Sequence, residues 1–440
     1  MEIMEDFLKQ VKNNTTMKKY LLFLFYFQTI FLLGCCKEPP IIEKPSEIST
    51  NLEIIWATPF YPDSSTSYYV NPLFSMNYLV LANESSDAQH PIQVRIFDRL
   101  TGQIHSAWRD GYRSIIEKGL LQDCMIGGNN QNIICLYTKQ HLYGYSLETG
   151  QRLWKTVIPS DGISHMSISE RYAFVSYAPG TIPKSLSKLI SVDLETGNST
   201  EILTLYIEDN YEFDINPPTM YINNQGDILL YFTTSGWNFT TVHGRVNMYC
   251  YNMTKKQMVW LKKDFTKDTD ASEAQQPPLV IENNKLIVTS LRAIHCFDMN
   301  TGELLWQHEN LAFADRPYLY HEGKLYVRSG DPCMLYCFDA QTGQKLWENT
   351  TLNPIPAPWG NMAIYKDKLY FTAWGKNAWI GLFCVDATTG EFLWQDAGPT
   401  GRVSYGVIAD QEKGYLYCQS GWLVMCVDLN KTPNGKADVK

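Results

Sequence analysis

The sequence predicts an all-β fold, and three observations support this fold class. The chain of 440 residues contains 27 Tyr and 12 Trp, and aromatic side chains are favoured in strands. In segments such as 335–339, two sets of mostly apolar side chains alternate along the chain with a period of two, which is typical of a strand rather than a helix. One short motif also recurs along most of the chain, which indicates a fold assembled from repeats.

The recurring motif occupies eight positions. Its clearest copies cover residues 296–306, 337–347 and 384–394, and each reads small–x–Asp–x–x–Thr–Gly–x–x–x–Trp. Degenerate copies extend the series, so that the Asp position falls at residues 98, 146, 193, 252, 298, 339, 386 and 428. The mean spacing is about 47 residues, which is a repeat length typical of propeller blades and solenoid units.

Four strands account for one repeat. The strand at 335–339 is apolar on both faces, so both faces must be covered by neighbouring layers. Residues 340–343 then form a tight turn, 344–347 begin a return strand, and 323–328 form an upstream strand. Four strands of about 5–6 residues with their connections fill such a repeat. Because four-stranded antiparallel blades arranged radially form a β-propeller, residues 52–430 are predicted to be an eight-bladed β-propeller.

The two ends of this region are expected to close the ring. The last repeat reaches Asp428, and no return strand with a tryptophan follows it. Residues 52–56 form such a return strand, and no strand with the repeated Asp precedes it. We therefore expect the N-terminal strand to pair in the last blade, which removes exposed sheet edges. Trp56 should then be buried against the neighbouring blade. Residues 431–440 are left as a C-terminal tail.

Most repeated residues are predicted to be structural. Each Asp lies next to a turn in its blade, so we expect it to accept backbone hydrogen bonds rather than to act as an acid or base. The residues given structural roles are Asp98, Asp193, Asp298, Asp339, Asp386, Asp428, Gly302, Gly343, Gly390, Trp56, Trp154, Trp260, Trp306, Trp347 and Trp394. In the two least regular return strands, Ile202 replaces the tryptophan and Trp108 is shifted by two positions.

Composition and charge exclude several function classes. With 45% apolar and 19% charged residues, the chain can bury a large core and is not a disordered protein. Its 37 basic and 46 acidic side chains give a net charge of −9, so no nucleic-acid partner is predicted. The sequence contains no recognisable set of catalytic residues. The eight His are not spaced as pairs of metal ligands, so no metal site is predicted.

The N-terminal segment has the features of a lipoprotein signal peptide, expected at residues 1–34. Residues 17–19 are a positive n-region, and 20–33 form an apolar run that is short for a membrane span and suits an h-region. The run ends in Leu-Leu-Gly-Cys, which resembles the lipobox of bacterial lipoproteins and makes Cys35 the lipidated residue. A plain secretory signal or a short membrane anchor is the alternative. Because residues 1–16 are polar, the simplest account is that synthesis begins at Met17.

The residues after the lipobox bear on localisation. Residues 35–51 are expected to be the lipidated N-terminus and a flexible tether, since they are rich in Pro, Glu, Lys and Ser. Cys36, rather than Asp, follows the lipidated position, and by resemblance to enterobacterial sorting this favours the periplasmic side of the outer membrane. The pair Lys37-Glu38 resembles surface-export signals of some Bacteroidetes lipoproteins, so exposure outside the cell stays open.

The repeat resembles the tryptophan-docking repeat of pyrroloquinoline-quinone (PQQ)-type propellers and, with the lipobox, is similar to BamB-type lipoproteins of the outer-membrane β-barrel assembly machinery. The resemblance implies a lipid-anchored, non-enzymatic envelope protein that binds another envelope protein. A glycan- or peptidoglycan-binding propeller is the alternative, and a PQQ-dependent dehydrogenase is a third. Such dehydrogenases carry a vicinal Cys-Cys bridge over the cofactor, whereas Cys35-Cys36 is the only such pair here. No cofactor is therefore expected.

The cysteines are predicted to be mostly free thiols. Five of the 11 occupy one repeat position, two residues before the Asp position, where a small buried apolar residue is expected. These five are Cys250, Cys296, Cys337, Cys384 and Cys426. A bridge between Cys124 and Cys135 across a hairpin, or between Cys333 and a neighbour, stays open.

A candidate binding face is predicted where the repeats vary most. Loops between the second and third strands share a face of a propeller with the blade-to-blade crossovers, opposite the Thr-Gly turns. Aromatic, basic and amide residues are frequent there, and they suit either a protein interface or sugar stacking, or they fill the central channel. The candidate residues are Trp237, Phe239, Arg316, Asp331, Trp359, Trp374, Lys376, Trp379, Arg402 and Trp422.

Overall fold

The computed structural model describes residues 50–60, 72–75, 77–82, 92–109, 111–113, 123–128, 131–159, 162–178, 186–206, 212–238, 243–266, 276–311, 318–329, 334–351, 360–374, 380–400 and 403–432. Over these ranges the chain forms eight antiparallel sheets, which we number as blades 1–8. None of the helical structure in these ranges has the length and apolarity needed to cross a membrane.

The first four blades follow one another along the chain. Blade 1 contains β2 (Leu73–Ser75), β3 (Tyr78–Ala82), β4 (Ile92–Asp98) and β5 (Tyr112–Arg113). Blade 2 contains β6 (Asp123–Gly127), β7 (Ile133–Tyr137), β8 (His141–Ser146) and β9 (Arg152–Val157). Blade 3 contains β10 (Ile163–Ile168), β11 (Tyr172–Tyr177), β12 (Leu186–Asp193) and β13 (Ser199–Tyr206). Blade 4 contains β14 (Glu212–Ile215), β15 (Thr219–Ile222), β16 (Ile228–Asn238), β17 (His243–Asn252) and β18 (Gln257–Lys262).

The remaining blades repeat this pattern. Blade 5 contains β19 (Leu279–Ile281), β20 (Lys285–Ser290), β21 (Ala293–Asp298) and β22 (Leu304–His308). Blade 6 contains β23 (Leu319–His321), β24 (Lys324–Arg328), β25 (Leu335–Asp339) and β26 (Lys345–Asn349). Blade 7 contains β27 (Ala363–Tyr365), β28 (Lys368–Trp374), β29 (Ile380–Asp386) and β30 (Phe392–Asp396). Blade 8 contains β31 (Val403–Asp410), β32 (Tyr415–Ser420), β33 (Leu423–Asp428) and β1 (Ile54–Pro59).

The strands run from the centre of the ring to its outer wall. First strands of neighbouring blades contact one another, as β2 and β10 do with β6, so they face the centre. Fourth strands carry exposed apolar side chains such as Leu153, Leu305 and Leu346, so they form the outer wall. The predicted eight-bladed propeller of antiparallel four-stranded blades is confirmed.

The N-terminal strand closes the ring, as predicted. β1 pairs antiparallel with β33, with Trp56 opposite Cys426 and Ala57 opposite Met425. The strand begins and ends slightly later than residues 52–56, and the N–H of Asp428 donates to the Glu53 carbonyl at 2.8 Å. The outer strand of the last blade therefore comes from the opposite end of the chain.

Two blades depart from the regular pattern. In blade 4 the inner strand is split into β14 and β15, which both pair with β16, and Pro217-Pro218 lies at the break. Proline has no N–H for the ladder, which explains the interruption. In blade 1 a short 3₁₀ helix, Ser106–Trp108, replaces the start of the outer strand and carries Trp108 inward.

The hydrophobic core lies between blades rather than within one sheet. Tyr326 and Cys337 of blade 6, for example, form one buried cluster with Leu369 and Phe383 of blade 7. Each strand apolar on both faces is thus covered by a neighbour on either side, as its sequence pattern requires. Interactions at the contacts between blades therefore determine how the ring holds together.

Candidate functional site

The candidate binding face lies mostly outside the described residues. Seven of the ten candidate residues are not among the described ones: Phe239, Arg316, Asp331, Trp359, Lys376, Trp379 and Arg402. Trp237 and Trp374 lie near or at the ends of the second strands β16 and β28, so their backbone leads into the loops between second and third strands. These two positions are on the face that the topology assigns to them.

Trp422 is the candidate residue whose side chain is described. It lies in the turn between β32 and β33, on the same face, and it is half-buried. Its carbonyl accepts a hydrogen bond from the N–H of Phe60 at 3.0 Å, which fixes the chain just after β1. Trp422 therefore joins the closing strand to the candidate binding face.

The repeated Asp residues organise turns on the opposite face. The Asp339 carboxylate accepts hydrogen bonds from the N–H groups of Gln341 at 3.0 Å and Thr342 at 2.7 Å, and from the Thr342 hydroxyl at 2.9 Å. The backbone N–H of Thr342, followed by its hydroxyl and the Gln341 N–H, lowers the pKa of Asp339 against the opposing effect of burial. The same bonds recur at Asp98, Asp193, Asp298 and Asp386. These carboxylates are engaged in local structure, which leaves them poorly placed for acid–base work.

The repeated tryptophans pack against the turns of the next blade. A Cβ atom added at Gly343 would lie 2.6 Å from Cδ2 of Trp306, and one added at Gly302 would lie 2.7 Å from Cε3 of Trp260. Only a residue without a side chain fits beneath the indole. The same contact joins Trp56 to Gly102, Trp154 to Gly197 and Trp347 to Gly390. Trp394 is buried in a cluster with residues of blade 8.

Hydrogen bonds reinforce this packing. The indole N–H donates to the carbonyl of the residue after the turn Asp or its equivalent, at Arg99, Leu147, Leu194, Met299 and Ala387, from Trp56, Trp108, Trp154, Trp260 and Trp347 respectively. Trp108 makes this bond from its shifted position, at 2.7 Å. The displacement seen in the sequence is thus compensated by the 3₁₀ helix.

Sequence reasoning missed a second set of contacts at the same place. The residue two positions after the tryptophan donates to the carbonyl of the packed glycine, from Thr58 at 2.8 Å, from Thr156 at 2.6 Å and from Asn349 at 2.6 Å. His308 contacts the Gly343 carbonyl in the same way. These side chains differ in type, so no single residue pattern signals them; their common spacing after Trp is the signal that could have found them.

Blades 3 and 4 meet without a tryptophan or a glycine. We call the contact between the fourth strand of one blade and the following blade a junction, named by the two blade numbers. At junction 3/4 Ile202 takes the place of the tryptophan, and Lys256, at φ +54°, takes the place of the glycine. Ile202 is partly buried against Tyr249 and Tyr251, and the Tyr251 hydroxyl donates to its carbonyl at 3.2 Å.

The described cysteines are buried and form no disulfide with one another. They are Cys124, Cys135, Cys250, Cys296, Cys337, Cys384, Cys418 and Cys426. Cys124 lies opposite Leu136 rather than Cys135, and the two thiols are not bridged. Burial raises the pKa of Cys296, Cys337, Cys384 and Cys426 to about 12, which makes them poor nucleophiles. Cys35 and Cys333 are outside the described residues.

Side chains that could bind a metal do not cluster in the described part of the chain. Within those ranges, no three His, Cys, Asp or Glu side chains come together as a metal donor set. His295, in strand β21, is buried and packs edge-on against Phe265 at 4.9 Å between ring centroids.

Comparisons with known proteins agree with this geometry. The family described as "Outer membrane protein assembly factor BamB" matches residues 291–426, from just before β21 into β33. No curated protein is significantly similar to the chain.

Solved structures share the fold over most of the chain. BamB from Moraxella catarrhalis aligns with a TM-score of 0.53 and 14% identity, covering 86% of this chain and 97% of that one. A europium-containing methanol dehydrogenase aligns with a TM-score of 0.59 and 14% identity, covering 83% and 84%. The computationally designed protein Ika8 aligns with a TM-score of 0.56 and 16% identity, covering 86% and 99%. With eight blades, tryptophan–glycine contacts at five of their junctions and a BamB-type match within the last four blades, the chain is a PQQ-like β-propeller similar to the BamB type.

Proposed function

We propose that this chain is a lipid-anchored, non-enzymatic scaffold of the bacterial envelope that binds other proteins during outer-membrane protein assembly. The observation that carries the proposal is the match of residues 291–426 to the BamB assembly factor, in a chain that forms the complete eight-bladed ring. The proposed location is the periplasmic side of the outer membrane.

The construction of the ring supports a scaffold. The repeated carboxylates hold turns, and the repeated thiols are buried and have raised pKa values, so the repeated positions stabilise the ring. The sequence between second and third strands differs from blade to blade, and loops that connect the strands of a packed framework commonly bind partners. Trp422 is the described member of this face.

Affinity capture tests the proposed partner. Full-length protein, solubilised from envelopes in mild detergent, is expected to co-purify with barrel-assembly proteins identified by mass spectrometry. Trp422→Ala is expected to reduce that recovery, whereas Leu346→Ala, an exposed apolar residue on the outer wall, serves as a matched control and should leave it unchanged. Recovery of polysaccharide without these proteins would favour a glycan-binding function instead.

Two further assays address the anchor and catalysis. Cys35→Ser is expected to leave a larger precursor that no longer incorporates labelled palmitate, and continued labelling would contradict the proposed anchor. The shared fold with a methanol dehydrogenase motivates an oxidation assay. Dye-linked alcohol or sugar oxidation after addition of PQQ and calcium would overturn the non-enzymatic proposal.

A further inference from the structure

Junction 3/4 contains a cleft of about 320 Å³. Its walls come from the end of β13, at Thr204, Leu205 and Tyr206, and from β16, β17 and β18 of blade 4. The wall residues of β16 and β17 lie near the connection between those two strands, so the cleft opens towards the candidate binding face. Its volume is at the lower end of the range of ligand pockets.

The cleft lies at the junction that has neither the tryptophan nor the glycine. At four other junctions the residue two positions after the tryptophan reaches across to a glycine carbonyl of the next blade. At junction 3/4 the register of β13 places Leu203 opposite Leu189, as Asn349 lies opposite Leu335, so an apolar side chain holds that position and cannot donate the bond. The next residue, Thr204, donates to Glu201 of its own strand at 2.8 Å and lines the cleft.

The lining combines positive charge with apolar surface. Arg245 and Lys263 contribute basic groups, Asn247 and Thr234 contribute polar groups, and Tyr249 contributes an aromatic wall. At the rim, Tyr206 is 70% exposed, Met258 39% and Leu261 38%, which is more apolar exposure than a covered strand end would show. Exposed aromatic and Met side chains are enriched at protein interfaces.

The charges near the cleft favour an anionic group. Three cations, Lys188, Arg245 and Lys263, lie on or beside it against two carboxylates. Glu201 is held by Lys188 at 2.7 Å, and the partly exposed Asp264 lies 4.0 Å from Arg245, at the limit of an ion pair. Because the whole chain has a net charge of −9, this local excess of positive charge is not a general property of the surface.

The neighbouring strand favours an extended peptide as the occupant. β13 is the outermost strand of blade 3 and, in the described part of the chain, pairs with β12 alone. Its eight residues exceed the five or six of the outer strands β9, β18, β22, β26 and β30. Outer strand edges can accept an added strand through backbone hydrogen bonds. A peptide paired with β13 would reach the cleft at Thr204–Tyr206.

We propose that junction 3/4 binds an extended acidic peptide segment of a partner protein, which pairs with the edge of β13 and places a carboxylate and an apolar side chain in the cleft. The inference rests on the proposed scaffold function only in that the occupant is a protein segment. Peptide binding to the purified chain can be measured whether or not barrel-assembly proteins are the partners.

The probe is a fluorescein-labelled nine-residue peptide, Thr-Val-Glu-Tyr-Thr-Val-Glu-Val-Thr. Binding to the full-length chain is followed by fluorescence anisotropy, and its location by the methyl resonance of Met258 in protein labelled with ¹³C-methyl methionine. The Met258→Leu variant assigns that resonance. We expect saturable binding with a shift of the Met258 signal. Absence of binding at millimolar peptide, or binding without a shift, would overturn the proposal.

Variants and altered peptides test the two parts of the site. Arg245→Glu should weaken binding at least about 10-fold, and Asp264→Asn should strengthen it about 2–3-fold, since it removes the competing carboxylate. Lys155→Glu, on the outer strand of blade 2, should change the affinity less than about twofold. A peptide with Lys in place of Glu, and one N-methylated at alternate residues, should both bind at least about 10-fold more weakly. Equal binding by Arg245→Glu or by the N-methylated peptide would contradict the proposed mode.

Discussion

Junctions 5/6 and 3/4 join the same elements with different side chains. At junction 5/6 the indole of Trp306 covers Gly343, and an added Cβ there would lie only 2.6 Å from the ring. At junction 3/4 both members of that contact change together, to Ile202 and Lys256. A smaller side chain on one blade thus accompanies a larger one on the next, and a cleft lies at this junction.

The difference indicates that tryptophan and glycine act as one unit. At the five junctions that make this contact, the indole leaves no room for a Cβ at the glycine. Junction 7/8 is an exception, because Trp394 is buried there although Thr432 takes the glycine position. Junction 3/4 has neither residue, and it is the junction that we propose for binding.

The largest expected effect comes from removing the strand that closes the ring. A chain that starts after residue 57 loses most of β1 and Trp56 and exposes the edge of β33. Trp56 is partly buried rather than fully buried as the sequence predicted. Truncating a fully buried tryptophan costs about 3–5 kcal/mol, so the loss of Trp56 together with most of its strand is a large part of a typical stability of about 5–15 kcal/mol. We expect this chain to aggregate or unfold, as measured by size-exclusion chromatography and urea denaturation.

The matched control for this truncation is a chain that starts at residue 48. It keeps Thr50 and Asn51, which donate hydrogen bonds to the Asp396 carboxylate at 2.8 Å each. It should behave as the full chain does. Equal stability of the two truncated chains would contradict closure by β1.

The next effect concerns a glycine beneath a tryptophan. Gly343 and Gly323 lie in the same blade, and both have φ +75°, but nothing lies within 4 Å of a Cβ added at Gly323. The backbone strain of alanine, about 1–2 kcal/mol, is therefore common to both substitutions. Gly343→Ala should lower the free energy of unfolding by at least about 2 kcal/mol more than Gly323→Ala, because it also displaces Trp306. Equal losses in urea denaturation would show that the contact is unimportant.

A smaller effect of opposite sign is expected at junction 3/4. Lys256→Gly should raise the free energy of unfolding by about 0.5–1 kcal/mol, since it relieves a positive φ and no indole packs there. Gln131→Gly, at φ +53° and with an exposed side chain in blade 2, is the matched control for strain. A clear loss of stability for Lys256→Gly, measured by thermal unfolding, would mean that its side chain holds the junction.

The smallest effect is a pH dependence that differs between the turns. Hydrogen bonds from Thr342 lower the folded-state pKa of Asp339 below the unfolded value of about 3.9. Its contribution to stability is therefore full above that value and is lost as pH falls towards the lower folded pKa. Asn252 holds the equivalent turn of blade 4 without a titrating group, through a 2.8 Å bond from the Lys255 N–H.

Asp339→Asn should therefore flatten the loss of stability between about pH 4 and pH 2, measured in urea denaturation series at each pH. A pH profile of this variant identical to that of the parent chain would contradict the assigned role of the turn carboxylate.

The regular part of the fold could be predicted from the sequence because it is periodic. The residue types at Asp339, Gly343 and Trp347 recur at fixed spacing, because the turn and its packing allow few alternatives at each position. The number of blades and the closure by β1 could therefore be predicted. The contacts of Thr58 and Asn349 were harder to predict, because side chains of several types can donate a hydrogen bond to a carbonyl and only their spacing after the tryptophan is regular.

The candidate site was less predictable for a related reason. A binding surface departs from the repeat, so its residues carry no periodic signal. The sequence showed that Ile202 replaces a tryptophan. It did not show that Ile202, Lys256 and the cleft lie together, because that depends on how β13 pairs with β12 and packs against blade 4. In that strand the bulge is displaced to Ile202, which residue spacing alone did not indicate.

The most direct test of the account is a double-mutant cycle between Trp306 and Gly343. The Trp306 indole N–H has no hydrogen-bond partner among the described residues, so the cycle reports packing alone. We predict that Gly343→Ala costs at least about 1 kcal/mol less in the Trp306→Ile background than in the parent chain, because the isoleucine leaves room for the added methyl group, as at junction 3/4. Additive losses, within about 0.5 kcal/mol, would contradict the claim that tryptophan and glycine form one unit.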